Sequence, residues 1–242
     1  MVNFLSIIQS RLGSTRLKYK ALLPINNLPL IVFLYKRVIT SKLIDKTVIA
    51  IPNIKDEDFF AEVLERYNIP FFRGNHKNVL ERFYKISKKL KPKNIVRITG
   101  DCPFIDPEII DDVIKLHSDK NAIYTSNARP PNFPDGLDVE VFKYEALVEA
   151  NKHAKTDYEK EHVVPYIVKN NNIENYKQKL DFSHYRWTVD TIEDYIFVKE
   201  VFDGLRKKKL KINYKNLLEF VSKNKKLMKI NHFLKRGYNN SN

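Results

Sequence analysis

An α/β fold built on a mostly parallel sheet is what this sequence predicts, and three observations carry the expectation. Short apolar runs rich in β-branched residues alternate with helical stretches through the first half of the chain, the pattern of successive βαβ units. The 242 residues are enough to bury one full core, as a single large domain or as a domain with a smaller lobe. A polar, basic loop follows the first apolar run, at the kind of position where open α/β sheets bind ligands.

Taken in order, Val2 to Ile8 reads as a buried strand, and Gln9 to Lys20 (QSRLGSTRLKYK) as the loop after it. Pro29 opens an apolar-periodic helix through Ser41, and Lys46 to Ile51 (KTVIAI) is the next strand. Asp56 to Tyr67 is helical, with Asp56, Glu57 and Asp58 suited to the positive end of its dipole. Ile69 to Phe72 is a third strand, and Asn78 to Leu90 an amphipathic helix with Val79, Phe83 and Ile86 on one face. Asn94 to Thr99 (NIVRIT) is a fourth strand that runs into Gly100-Asp101-Cys102-Pro103, and Asp106-Pro107-Glu108 starts the next helix. Ala128 to Gly136 (ARPPNFPDG) holds three prolines and a glycine and reads as a loop, a lid or the approach to a smaller lobe. Asp138 to Phe142 returns as a strand, Tyr144 to His153 and Tyr158 to Lys169 as helices. Tyr185 to Val189 (YRWTV) is a strand delivering Asp190, and Ile192 to Leu205 the helix after it.

Composition narrows the class. Cys102 is the only cysteine, so no intrachain disulfide forms and nothing points to an oxidising compartment. The first apolar run lacks a basic leader and stops before Arg11, too short for a signal peptide, and Leu28 to Tyr35 is too short to span a bilayer. These features predict a soluble, cytoplasmic protein. The net charge of +14 is uneven: Leu205 to Asn242 carries 12 Lys and Arg against Glu219 alone, leaving only +3 for the rest. That basic stretch lacks interleaved aromatics at a stacking spacing, and it reads as a solvated helical face rather than a nucleic-acid footprint.

The loop has the chemistry of a phosphate cradle. Gly13, Ser14 and Thr15 let backbone N–H groups converge on an anion, and Arg11, Arg16 and Lys20 surround it with mobile cations. It is neither a Walker A motif nor a dinucleotide fingerprint, and a solvated basic turn is the plain alternative. Asp101 and Asp190 each follow a strand, so both carboxylates can open onto one rim. Such a pair beside a polyphosphate suits magnesium, which takes one or two carboxylates plus waters and phosphates; an N-cap role is the alternative for each.

The blocks QSRLGSTRL with Lys20, FRG, VRITGDCPFIDPE, PDGLDVEVF, EKEHVVPYI and RWTVDTIEDY together resemble the SpsF-type cytidylyltransferases, spore-coat polysaccharide relatives of the acylneuraminate and 3-deoxy-manno-octulosonate cytidylyltransferases. They fall in family order from about Leu5 to Leu205. The resemblance implies a Rossmann-like, GT-A-like three-layer nucleotidyltransferase sandwich with a small inserted lobe. The nucleotidyltransferase domain would span residues 1–205, with about 128–184 forming an acceptor or dimerisation lobe and 206–242 a basic, largely helical extension. It implies an enzyme that uses CTP and magnesium to activate an acidic sugar or a phosphorylated small acceptor for surface-glycan synthesis, releasing pyrophosphate, with a homodimer as one possible state. Carried over by motif, Gln9, Arg11, Gly13, Ser14, Thr15, Arg16 and Lys20 would hold the nucleotide, with Arg73, Gly74, Arg82, Thr99 and Gly100 beside it. Asp101 and Asp190 would hold magnesium. Asp138, Glu140, Glu161 and His162 would face the acceptor. His184 and Arg186 are placed either as contacts to an acidic acceptor or as caps of the sheet edge.

One departure stands out. Where relatives commonly carry Leu-Pro-Gly-Lys, this chain has Leu17-Lys18-Tyr19-Lys20, and tyrosine resists backbone conformations that glycine allows. The loop is therefore expected to close differently and to aim Lys20 at a different phosphate oxygen. Three rival readings remain at this stage. Asp138-Val139-Glu140 resembles the acidic triplet of a glycosyltransferase, the basic C-terminal stretch would serve a nucleic-acid-binding protein, and the altered loop would suit a noncatalytic scaffold.

Overall fold

The computed structural model describes residues 2–236. Its centre is a seven-stranded sheet made of β1 (Phe4–Gln9), β4 (Lys46–Pro52), β5 (Phe71–Gly74), β6 (Asn94–Thr99), β7 (Tyr124–Ser126), β8 (Glu140–Lys143) and β9 (Ile173–Asn175), in the order β5-β4-β1-β6-β8-β7-β9. The four strands β5, β4, β1 and β6 are parallel, as the alternating pattern predicts. β8 pairs antiparallel with both β6 and β7, and β9 runs parallel to β7. A small hairpin of β2 (Pro24–Ile25) and β3 (Leu28–Pro29) stands apart.

The chain winds outward from β1 through β4 to β5 and then returns to place β6 on the other side of β1. That reversal opens a crevice at the carboxyl ends of β1 and β6, the place where doubly wound sheets bind ligands. Both strands end in the segments that the sequence marks as chemical.

Helices cover both faces, and side-chain alternation along the strands sorts the core. Phe4 and Ile8 of β1 face one layer, with α1 (Leu30–Val38), α2 (Asp58–Arg66), α4 (Pro107–Asp119), α8 (Ile192–Lys207) and α9 (Tyr214–Ser222). Leu5 and Ile7 face the other, with α3 (Val79–Leu90), α5 (Tyr144–His153) and α7 (Pro165–Asn170). This is the expected three-layer sandwich. Helix starts follow local chemistry: Asn78 caps α3 through Glu81 N–H, and Asp106 caps α4, whose first residue is proline.

The structure departs from the sequence expectations in three places. The helix expected over residues 158–169 is two helices, α6 (Asp157–His162) and α7, because Pro165 cannot continue the hydrogen-bond ladder and Val163 turns at a φ of 70°. Residues 185–189 form no strand of the sheet. Asp135 N–H bonds Tyr185 O, Trp187 N–H bonds Asp135 O, and Val189 N–H bonds Asp101 O, so this segment joins two loops instead of a strand. Gly136 allows that approach, since a Cβ there would sit 2.6 Å from Thr188 N. The C-terminal residues pack onto the body: Leu217 and Val221 of α9 are buried in the core, Tyr214 N–H bonds Asp106, and α10 (Lys225–Met228) contacts α8 and α9. Among the described residues no helix is long and apolar enough to cross a membrane.

Candidate active site

A cavity of about 310 Å³ occupies the crevice. It is lined by Gln9, Ser10, Arg11, Ser14, Thr15, Arg16 and Lys20 from the first loop, by Thr99, Gly100, Asp101 and Asp190, and by Val79, Arg82, Glu161 and His162 from the helices above. The two loops touch through Gly100, whose N–H bonds Gln9 O at 2.8 Å; a Cβ there would meet Ser10 Cβ at 2.7 Å.

Asp101 and Asp190 come together because their backbones are stitched. Asp101 O accepts from Val189 N–H at 2.8 Å and from Thr188 Oγ1 at 3.1 Å, which sets the two carboxylates side by side. The Lys20 ammonium lies between them, 2.8 Å from Asp101 Oδ2 and 2.6 Å from Asp190 Oδ1. Burial opposes the charge on Lys20, but the two carboxylates outweigh it and hold the ammonium above the ordinary lysine range. Burial likewise pushes Asp101 up, and Lys20 more than reverses this, leaving the carboxyl well below its usual range. Arg16 reaches Asp190 Oδ2 at 3.0 Å from the solvent side.

Tyr19 does not avoid the backbone conformation that its residue type resists. Tyr19 adopts the left-handed conformation itself, with φ 58° and ψ 19°, its ring exposed, and so delivers Lys20 through the backbone geometry a glycine would supply. A residue that the sequence marks only for a helix dipole helps to fix the loop: the buried Glu57 carboxylate accepts from Leu12 N–H at 2.9 and 3.1 Å. Ser14 N–H bonds Leu12 O. These two N–H groups are thus spent within the protein.

Arg82 adds a buried cation to the cavity wall. Its Nη1 donates to Asn75 O at 2.8 Å, its Nε has no partner, and burial, with Arg11 nearby, lowers its pKa to about 10. Its stem packs over Gly74, where a Cβ would meet Arg82 Cγ at 2.8 Å. Gly74 therefore acts through Arg82. Arg73 turns away to Asp58 and Ile54 O, and Gly13, though in the loop, is not part of the cavity wall.

On the far wall, α6 ends at His162 because the buried Val163 and Val164 pin the turn beneath it. Glu161 pairs with Arg11 at 3.5 Å across the mouth, and burial lowers the pKa of His162, favouring a neutral imidazole. Asp138 and Glu140 do not line this cavity. Asp138 is paired with Arg236, and Glu140 is enclosed by Arg97, Tyr124 OH at 2.6 Å and Arg129 at 3.4 Å. Glu140 instead acts at one remove: Arg97 Nε donates to Gln9 Oε1 at 2.9 Å, leaving the Gln9 amide nitrogen as the group free to donate elsewhere. His184 lines a separate, mostly apolar cavity of about 420 Å³ with Trp187 and Met228. Arg186 is buried on three aspartates and does not line the cavity of Asp101 and Lys20. Cys102 is buried 3.1 Å from Thr99 Oγ1, and burial with Asp101 pushes its thiol up, away from the nucleophilic form.

The donor set fits a divalent cation of the magnesium kind. Asp101 and Asp190 converge on one point that a cation already occupies, the Lys20 ammonium, and they offer hard carboxylate oxygens. Among the described residues no group of three or more His, Cys, Asp or Glu side chains is placed to hold a metal ion. Two carboxylates alone match an ion that completes its shell with phosphate and water.

Known proteins share this fold. A solved cytidylyltransferase from Leptospira borgpetersenii is 30% identical and superposes with a TM-score of 0.86, covering 94% of this chain and 97% of its own. The CTP complex of a CMP-2-keto-3-deoxy-manno-octonic acid synthetase shares the fold at 15% identity and a TM-score of 0.64, covering 84% of this chain and 99% of its own. The spore coat polysaccharide biosynthesis protein SpsF of Bacillus subtilis is 35% identical over 214 residues, 84% of this chain and 87% of its own length. The profile of the cytidylyltransferase family matches residues 5–236, and the chain belongs to that family of CTP-dependent nucleotidyltransferases.

Proposed function

We propose that the protein transfers CMP from CTP to an acidic or phosphorylated small acceptor and releases pyrophosphate, supplying an activated unit for surface-glycan synthesis. The observation that carries this reading is the meeting of Asp101 and Asp190 under Lys20 and Arg16, at the switch point of the sheet and inside one cavity with Arg82 and Ser14. The acceptor oxygen forms a bond to the α-phosphorus of CTP. The bond to the bridging oxygen breaks, the pyrophosphate keeps that electron pair, and the acceptor's proton leaves to a base.

Positioning and charge neutralisation do most of the work in such a transfer. Arg11, Arg16, Lys20 and Arg82 hold the triphosphate, joined by the Ser14 and Thr15 hydroxyls, while Thr99 and Gly100 form the floor beneath it. Asp101 and Asp190 would hold magnesium, which would supply charge neutralisation on the phosphate oxygens. As the triphosphate arrives, its oxygens offer Lys20 and Arg16 a new partner in place of the carboxylates. His162, kept neutral by burial, takes the acceptor proton, and Glu161 keeps Arg11 at the mouth. The acceptor enters over α6, beside Glu161 and His162.

The test is transfer of label from α-labelled CTP to an acceptor with magnesium present. Arg16→Ala and His162→Gln should each lose roughly two to three orders of magnitude in turnover. Label transfer unchanged in both variants would remove these roles.

A further inference from the structure

Asp190 is gripped from inside the protein as well as from the cavity. Arg186 is 6% exposed, and each of its five N–H groups has a partner. Nε donates to Asp194 Oδ1 at 2.9 Å. Nη2 divides its two between Asp194 Oδ2 at 3.0 Å and Asp190 Oδ2 at 3.1 Å. Nη1 reaches Asp135 Oδ2 at 2.8 Å and Lys235 O at 3.3 Å. Asp194, fully buried, also accepts from the backbone N–H groups of Asp190 and Thr191 at 3.0 and 3.1 Å, so the guanidinium fixes both the carboxylate and the turn that carries it.

The far end of this lattice lies in the C-terminal segment. Asn231 Nδ2 donates to Arg186 O and to Asp194 Oδ1, both at 2.9 Å. Arg236 Nη1 donates to Phe133 O at 3.2 Å, and its Nη2 pairs with Asp138. Asp135 is buried and Asp138 half-buried; Arg236 reaches both carboxylates, and Arg186 reaches Asp135. Arg236 thus pairs with acids of the body, and the chain of contacts runs from Arg236 through Asp135 and Arg186 to Asp190.

We propose that Arg186 is a positioning residue for Asp190, and that residues 231–236 form a strap whose docking holds Arg186 and so sets the affinity of the Asp101–Asp190 pair for a divalent cation. This rests on the metal-binding reading of those two aspartates. Lysine in place of Arg186 keeps the charge but cannot span three carboxylates with a planar fork. Residues that orient a metal ligand typically change metal affinity by about 10- to 100-fold when replaced.

The experiment measures Mn2+ binding to the full chain by electron paramagnetic resonance, with CTP present, for the unmodified protein and for Asp190→Asn, Arg186→Lys, Asn231→Ala and Arg236→Gln, each first shown to be folded by circular dichroism. The unmodified protein should bind Mn2+ and Asp190→Asn should not. If that contrast fails, the metal reading and the inference fall together. Where it holds, Arg186→Lys should weaken Mn2+ by about tenfold or more and Arg236→Gln and Asn231→Ala by several-fold. Raised Mn2+ should restore turnover in Arg186→Lys but not in Asp190→Asn. Folded Arg186→Lys and strap variants that bind Mn2+ as tightly as the unmodified protein would overturn the inference while leaving the metal reading intact.

Discussion

Tyr19 and Lys20 show how one residue's backbone sets another's chemistry. Tyr19 holds a left-handed conformation that costs an L-residue about 1–2 kcal/mol, partly offset by the extra unfolded-state freedom of any glycine put in its place. Tyr19→Gly should therefore raise stability by a net amount on the order of 0.5 kcal/mol in urea unfolding, with turnover kept, because Lys20 is already delivered between Asp101 and Asp190. Loss of turnover in that variant would mean that the tyrosine ring itself acts. Asp101→Asn should cost about two to three orders of magnitude in rate, read by pyrophosphate release, since it removes half of the carboxylate pair. The residues of the first loop were legible because their types alone carry phosphate chemistry. Glu57, Arg97 and Asp194 were not: a buried carboxylate or guanidinium with tertiary partners looks, in sequence, like any charge on a helix or strand. Arg186 has two partners nearby in sequence, Asp190 and Asp194, but the other two lie 51 residues upstream and 49 downstream, which spacing does not reveal.

At the scale of elements, β6 and α4 show what periodicity can and cannot supply. Both stand where β-branched alternation and an Asp-Pro start put them, yet β7 and β9 are only three residues long and leave no period to read. The misplaced strand at 185–189 has β-rich composition, but its hydrogen bonds go to the loops at Asp101 and Asp135, a tertiary choice. His117 on α4 ties these elements together, with its ring nitrogens 3.0 Å from Thr125 Oγ1 and 3.1 Å from Asn94 Oδ1. Asn94 Oδ1 can only accept, so Nε2 carries the proton and Nδ1 accepts from the threonine, an arrangement that fits the neutral ring. Burial, with Lys143 near, lowers its pKa to about 4. The unfolded chain then takes up a proton near pH 6.5 that the folded chain refuses. Stability should be full above that value, fall as pH drops from about 6.5 to 4, and level off below, a loss of about 3 kcal/mol from this group. His117→Gln should flatten that part of the urea-unfolding profile; an unchanged slope would place the titration elsewhere.

Over the whole molecule, the uneven charge takes on a different meaning from the one it has in sequence. The basic C-terminal residues read as a solvated face, and many are exposed, but Leu217 and Val221 fill the core and Arg236 answers buried acids. Leu217→Ala should destabilise by about 2–5 kcal/mol in urea unfolding, a cost that a detachable nucleic-acid-binding tail would not carry. The glycosyltransferase reading loses its footing for a similar reason, since Asp138 and Glu140 are enclosed in ion pairs away from the cavity. The sheet order, readable only as a parallel expectation in the sequence, is what brings the loop after β1 and the aspartate after β6 to one crevice.

The most direct test is pyrophosphate release with each of the four nucleoside triphosphates and magnesium, against a panel of keto-sugar acids and phosphorylated sugars or polyols. Release with CTP and an acidic or phosphorylated acceptor, abolished by Asp101→Asn, is the expected result. Release that prefers another nucleotide, or that persists undiminished in Asp101→Asn, would contradict the proposed reaction and its site.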